Sequence, residues 1–210
     1  MRSILLTGGL FLLIINMGCR GSEHPTSSPQ PQEAASHAIG VLQKLVNDQN
    51  YRTMGFDSVD EVKQAQLGQP FAVSNIGLDQ LKSYRTGANA NSLLSNSSET
   101  IYPVTVRGQV KSSVTIVQKE GGYQPSSFGN AEIVKSLSRY RQGENPAGDF
   151  VVRILALNMY FLGRHVEDRL FLTPVIDDPR LKLRPGESVP AEIVLEQLVP
   201  LANAYNGEPM

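Results

Sequence analysis

Tryptophan is absent from this 210-residue chain, cysteine occurs once and histidine three times. With no indole, the usual rigid platform for stacking sugars or bases is missing. A single cysteine cannot close an internal disulfide, so the fold must rest on its core alone. Excess charge of one sign is also missing: 19 Lys and Arg against 20 Asp and Glu leave a net charge of −1. That balance argues against a strongly basic nucleic-acid binder, and Arg139, Arg141, Arg153, Arg164 and Arg169 are scattered instead of forming a run. His24, His37 and His165 show neither HxH nor HxxxH spacing, so no metal centre is expected. The stretch His165-Val166-Glu167-Asp168 reads as a solvated hairpin turn. No nucleophile elbow, P-loop or dinucleotide fingerprint occurs. The expectation is a protein with no catalytic residue, no metal and no cofactor.

What the chain does contain is a clear β-meander from Ile101 to Ser127. Ile101–Val106 alternates as a strand, Arg107-Gly108 supplies a tight turn, and Val110–Val117 alternates again. Glu120-Gly121-Gly122 turns the chain into Tyr123–Ser127. After Phe128-Gly129-Asn130 the period becomes helical, with Ile133, Val134, Leu137 and Tyr140 on one face. Strands in a meander followed by a helix predict an α+β fold, with helices packed on an antiparallel sheet. Val114 and Ile116 are expected to be buried together with Leu137.

Upstream, Glu33–Asn47 reads as an amphipathic helix with Ala35, Ala38, Ile39, Leu42, Leu45 and Val46 on one stripe. Ser58 and Glu61 fit a capping box before a short helix ended by Gly68. Phe71–Ile76 is a candidate strand and Leu78–Tyr84 a helical turn. Arg85–Thr100 is rich in Asn, Ser and Gly and reads as a long irregular loop, solvated or functional, with Leu93-Leu94 pinned to the core.

The second half repeats the plan. Phe150–Leu162 is almost continuously apolar and reads as one strand covered on both faces. Helices at 131–142 and 190–205 would cover one side of it, and 33–67 the other; the alternative is an apolar face left for a partner. Gly163–Asp168 is a predicted turn and Arg169–Ile176 a returning strand. A helix starts near Pro190, and Pro200 should kink or split it. Both C-terminal helices open with Ala-Glu-Ile-Val, at 131–134 and 191–194. The sequence thus allows two βββα-like units after an N-terminal helical segment, whether by duplication or because that tetrapeptide is an adequate helix start.

The N-terminus carries the one specific motif. Met1-Arg2-Ser3 is a short positive region, Ile4–Ile15 is largely apolar, and Gly18-Cys19 follows. The apolar run falls short of the roughly 20 residues a membrane span needs. Here the chain resembles the bacterial lipoproteins, although Asn16 stands where that family usually has an aliphatic residue. The resemblance implies a signal peptide over 1–18, cleavage between Gly18 and Cys19, and a lipid on the Cys19 sulfur. The alternative is an ordinary secreted protein cut after Gly21. Residues 19–32, with the Pro- and Ser-rich RGSEHPTSSPQPQ after the cysteine, read as a tether, and 33–206 as a single α+β domain. Arg20, in place of an aspartate after the cysteine, implies by the same resemblance the outer membrane with the domain in the periplasm, if the host has two membranes. The expected function is a non-catalytic binding or scaffolding module of the cell envelope, held to the membrane by its lipid and meeting an envelope protein partner, with no nucleic acid. The alternatives are a carrier of an apolar small molecule or lipid, and a hydrolase with a dispersed site.

Cys19→Ala should abolish fatty-acid labelling of the protein and its processing by the lipoprotein signal peptidase. Unchanged labelling and processing would show that the N-terminal signal has been misread.

Overall fold

The computed structural model describes residues 30–141 and 148–207. Gly18, Cys19, His24 and nearly all of the expected tether lie outside them. The described chain runs α1 (Pro31–Leu45), β1 (Gln66–Leu67), β2 (Phe71–Ile76), α2 (Leu78–Ser83), β3 (Leu94–Val106), β4 (Gln109–Lys119), β5 (Gly122–Gly129) and α3 (Ala131–Tyr140). It continues with β6 (Phe150–Ile154), β7 (Met159–Val166), β8 (Arg169–Pro174), β9 (Val189–Pro190) and α4 (Ala191–Ala204). All nine strands join one sheet in the order β5-β4-β3-β2-β6-β7-β8-β9, with β1 added on β3. Every pairing is antiparallel except the central one, where β2 runs parallel to β6. The fold is α+β, as the meander-and-helix pattern predicts.

Each half of the sheet is four successive strands closed by a helix: β2 to β5 then α3, and β6 to β9 then α4. The helices open at Ala131 and Ala191, where the sequence placed both starts. They lie on opposite faces. On the back face, Val134 and Leu137 of α3 pack on Phe71, Val73, Ile101, Val151 and Leu162. On the front face, Val194, Leu195 and Leu198 of α4 and Leu81 of α2 pack on Val152, Ile154, Phe161 and Leu172. Also on the front, Ala34, Ala35, Ala38, Leu42 and Val46 meet Tyr102, Val104, Val106, Val114 and Ile116. Three alanines in that stripe keep α1 close to the strands, and each larger side chain buried there contributes roughly 1.5–3 kcal/mol.

This arrangement corrects several expectations. Val114 and Ile116 are buried, but under α1, whereas Leu137 sits on the other face. Strand side chains alternate between faces, so the small Ser113 and Thr115, not their neighbours, meet the Val134 and Leu137 side of α3. Phe150–Leu162 is not one strand. Leu155–Leu157 forms a 3-10 turn and Asn158 takes φ 53, a left-handed conformation that asparagine tolerates, so a hairpin folds there. The helices at 131–140 and 191–204 therefore cover different faces of it, and α1 lies over β4 and β5. Gly163–Val166 belongs to β7, and the turn shrinks to Glu167-Asp168. Leu94–Thr100 of the expected loop is the first half of β3, because pairing to β2 outweighs the poor strand propensity of Asn and Ser.

Smaller corrections concern the helices. Pro31 and Gln32, assigned to the tether, are the first two residues of α1, where a proline needs no N–H partner. Leu45 faces outward at 45% exposure. The Ser58/Glu61 pair does cap, with Ser58 Oγ accepting from the Glu61 N–H and Glu61 Oε2 from the Asp57 N–H. The element it opens is a 3-10 turn, Asp60–Gln64, that ends before Ala65 and not at Gly68. Pro200 lies within an unbroken α4 on its exposed side.

The outer strand β5 carries Pro125, and the register shift opposite Thr115 and Ile116 leaves Ser126 as an extra residue. Both features disfavour pairing with another chain. Ile116→Asp should unfold the protein, since an unpaired buried charge and a lost core side chain act together. A retained cooperative thermal melt in that variant would contradict the packing of β4 under α1.

Candidate functional site

The front face is covered at its two flanks, by α1 on one side and by α2 and α4 on the other. Among the described residues, the middle of the sheet between them is left open, forming a cleft of about 830 Å³. That is within the range of small-molecule sites. Its floor comes from cross-strand pairs of β2 and β3: Ser74 opposite Asn96 and Ala72 opposite Thr100. Between those pairs β2 advances by two residues and β3 by four, so β3 bulges at residues 97–99. Bulges of this kind re-aim side chains and are over-represented beside functional sites. Ser97 Oγ accepts from the Glu99 N–H inside the bulge. Among the described residues, the side chains of Ser74, Asn96 and Thr100 have no hydrogen-bond partner, and Ala72 and Asn96 are exposed on the floor.

One wall is aromatic. Phe150 on β6 and His165 on β7 stack with ring centroids 5.3 Å apart and planes 21° from parallel. Phe150 can lie across β7 only because residue 163 is glycine. A Cβ there would stand 2.8 Å from Phe150 Cε2 and 2.9 Å from Val152 Cγ2. His165 Nε2 is 3.0 Å from Asn91 Oδ1, and Asn91 Nδ2 donates to the Asp168 carbonyl, so the ring is held from behind. The histidine read as part of a solvated turn is thus a strand residue on the cleft. His37 stays exposed on α1.

Asp149, just before β6, is the one carboxylate on the cleft lining among the described residues. Its side chain is fully buried, and Arg164 holds both oxygens, Nε to Oδ1 at 2.6 Å and Nη2 to Oδ2 at 2.8 Å. The carboxylate raises the Arg164 pKa through that hydrogen bond, and the pair presents no net charge to the cleft. The neighbouring stretch of rim, Gln69-Pro70, at the same end of the parallel strands β2 and β6, is fixed by Arg141, which donates to both carbonyls at 2.9 and 2.8 Å and lies 3.4 Å over the Phe71 ring. Burial pushes the Arg141 guanidinium down to about 10, still cationic at neutral pH. Tyr102 closes the α1 side; burial raises its phenol, helped by neighbouring Tyr123.

Among the described residues there is no group of three or more His, Cys, Asp or Glu placed to hold a metal ion. No described helix is long and apolar enough to cross a membrane. Asp178 is engaged by Arg180, whose Nη2 lies 2.6 Å from Oδ2. The sequence does not single out Asn96, Thr100, Asp149 or Phe150 as site residues; its pointers are the unusual length of the Asn- and Ser-rich stretch that supplies the first two and the apolar Phe150–Leu162 stretch, one face of which could be left for a partner. No known protein family matches the chain, and no significant match is found among curated proteins or solved structures.

Arg164→Met would leave the buried Asp149 carboxylate unpaired. The expected loss is about 3 kcal/mol, low in the range for broken buried pairs because the Arg164 side chain is 34% exposed. Chemical denaturation checks this, and a loss under about 1 kcal/mol would mean that the pair is not what holds the cleft wall.

Proposed function

We propose that the chain is a lipid-anchored, non-catalytic binding module of the bacterial cell envelope, with the front-face cleft as its binding site. Lipid on Cys19 would hold it at the membrane, stably so because two or three acyl chains bind far more tightly than one. Residues 19–30 would act as the tether, and Arg20 favours the outer membrane facing the periplasm where the host has one. The observation that carries the binding reading is the open cleft itself. It combines unpartnered hydroxyl and amide groups with an aromatic wall, on a sheet whose remaining front surface is covered by helices.

The carrier reading has less support. A carrier of an apolar molecule needs a closed apolar interior, and this cleft is open with polar groups on its floor. The more enclosed space between α3 and the sheet is only about 60 Å³ and is lined in part by Glu99, Arg153 and Tyr160.

The test is photo-crosslinking in the native host, with a benzoylphenylalanine at position 72 on the cleft floor and, separately, at exposed position 118 on the far end of β4. A specific envelope adduct is expected from position 72 and not from 118. Adducts indistinguishable between the two positions would reject the cleft as the binding site.

A further inference from the structure

We infer that the cleft takes an uncharged oligosaccharide. This rests on the reading of the cleft as the binding site and narrows the envelope component from any partner, including the protein expected from the sequence, to a neutral glycan. Charge is the first discriminator. Among the described residues the lining carries one carboxylate, Asp149, and Arg164 already occupies both of its oxygens. Among the described residues no lysine or arginine lines the cleft, so phosphate or carboxylate groups of a ligand would find no basic side chain on its surface to pair with, and desolvating them would cost more than it returned.

Backbone supply is the second discriminator. An extended peptide is normally read through main-chain hydrogen bonds at a free sheet edge. Here the floor is the middle of the sheet, where β2 is flanked by β3 and β6, and β3 by β2 and β4. Where β2 pairs with β3 and β6, their N–H and C=O groups lie in the plane of the sheet and are taken up by the ladder. Outside the bulge at residues 97–99 and the part of β3 before Glu99, which has no partner on β4, a peptide across the floor would find only side chains to pair with. The side chains on offer are Ser74, Asn96 and Thr100, hydroxyls and an amide that both donate and accept. Sugar hydroxyls also donate and accept, so they match this set without requiring a fixed direction. The Phe150–His165 stack supplies an aromatic surface for the C–H face of a pyranose ring, a role the missing tryptophan would otherwise fill.

The experiment is isothermal titration of the full-length protein, kept in detergent, with tetramers of N-acetylglucosamine, of β-1,4-linked glucose and of α-1,4-linked glucose. Tetragalacturonate, an uncharged Ser/Ala pentapeptide and palmitate serve as comparison ligands. At least one neutral tetramer should bind, with an affinity insensitive to salt because no charge is engaged. Asn96→Ala, exposed and expected to keep the native melt, should weaken that binding about tenfold, as loss of a hydrogen bond to a ligand does. Phe150→Leu should weaken it by a similar factor, about tenfold. Binding of the acid, the peptide or palmitate in place of every neutral saccharide would overturn the ligand class while leaving the cleft as a site. No binding by any neutral tetramer would likewise overturn it, and the adduct pattern from position 72 then decides separately whether the cleft reading also falls.

Discussion

The strict alternation of side chains in the two central strands decides where this protein can be covered and where it cannot. In β2 the back-facing residues are Phe71 and Val73 and the front-facing ones are Ala72 and Ser74. Burying Phe71 and Val73 demands a helix across the middle of the back face, and α3 takes that place. The front of β2 at Ala72 and Ser74 offers too little apolar surface to offset the ordering of a helix there. Apolar front surface returns only at the flanks, on β3–β4 under α1 and on β6–β8 under α4. Three helix positions on two faces therefore leave one strip of front sheet open among the described residues, and the cleft is that strip.

The same alternation keeps the open strip rigid. Its floor at β2 is held between the ladders to β3 and β6, and its walls are pinned by groups that reach across the chain. Arg141 fixes the Gln69-Pro70 rim from the end of α3, and Arg164 fixes Asp149 from β7. Gly163 makes room for Phe150 to lie flat against its neighbour strand. Such preorganisation lowers the ordering cost that binding would otherwise carry. Behind the sheet, Arg153 and Glu99 form a further pair, with Arg153 Nε donating to Asn75 Oδ1 at 3.2 Å. It links the two halves across the central parallel strands.

Much of the fold was legible from residue patterns. The meander turns at Arg107-Gly108 and Gly121-Gly122, and both C-terminal helix starts, arise from local chemistry that needs no tertiary knowledge. What was illegible depended on partners distant in sequence. Leu94–Thr100 looks like loop because Asn and Ser prefer to bond locally, and only pairing to β2 makes it strand. The hairpin inside Phe150–Leu162 hinges on Asn158, which with Arg153 is one of the two residues that break an apolar run. The cleft was hidden for a similar reason: Asn96, Thr100, Phe150 and His165 come from strands far apart in the chain, and their alignment is a product of register. The Gly18-Cys19 motif, from which the lipid anchor is proposed, belongs to residues the structure does not describe.

The central claim is that the front of β2 is open while the front of β4 is closed by α1. Thiol labelling measures this directly in a Cys19→Ala background, which removes the one native cysteine. Ala72→Cys and Ser112→Cys would be compared for their rate of reaction with a small maleimide in the folded protein. Ser112 is fully buried and Ala72 is exposed. The account predicts reaction at position 72 near the rate of an unhindered thiol, with position 112 protected until the protein unfolds. Protection of position 72 equal to that of position 112 would contradict it.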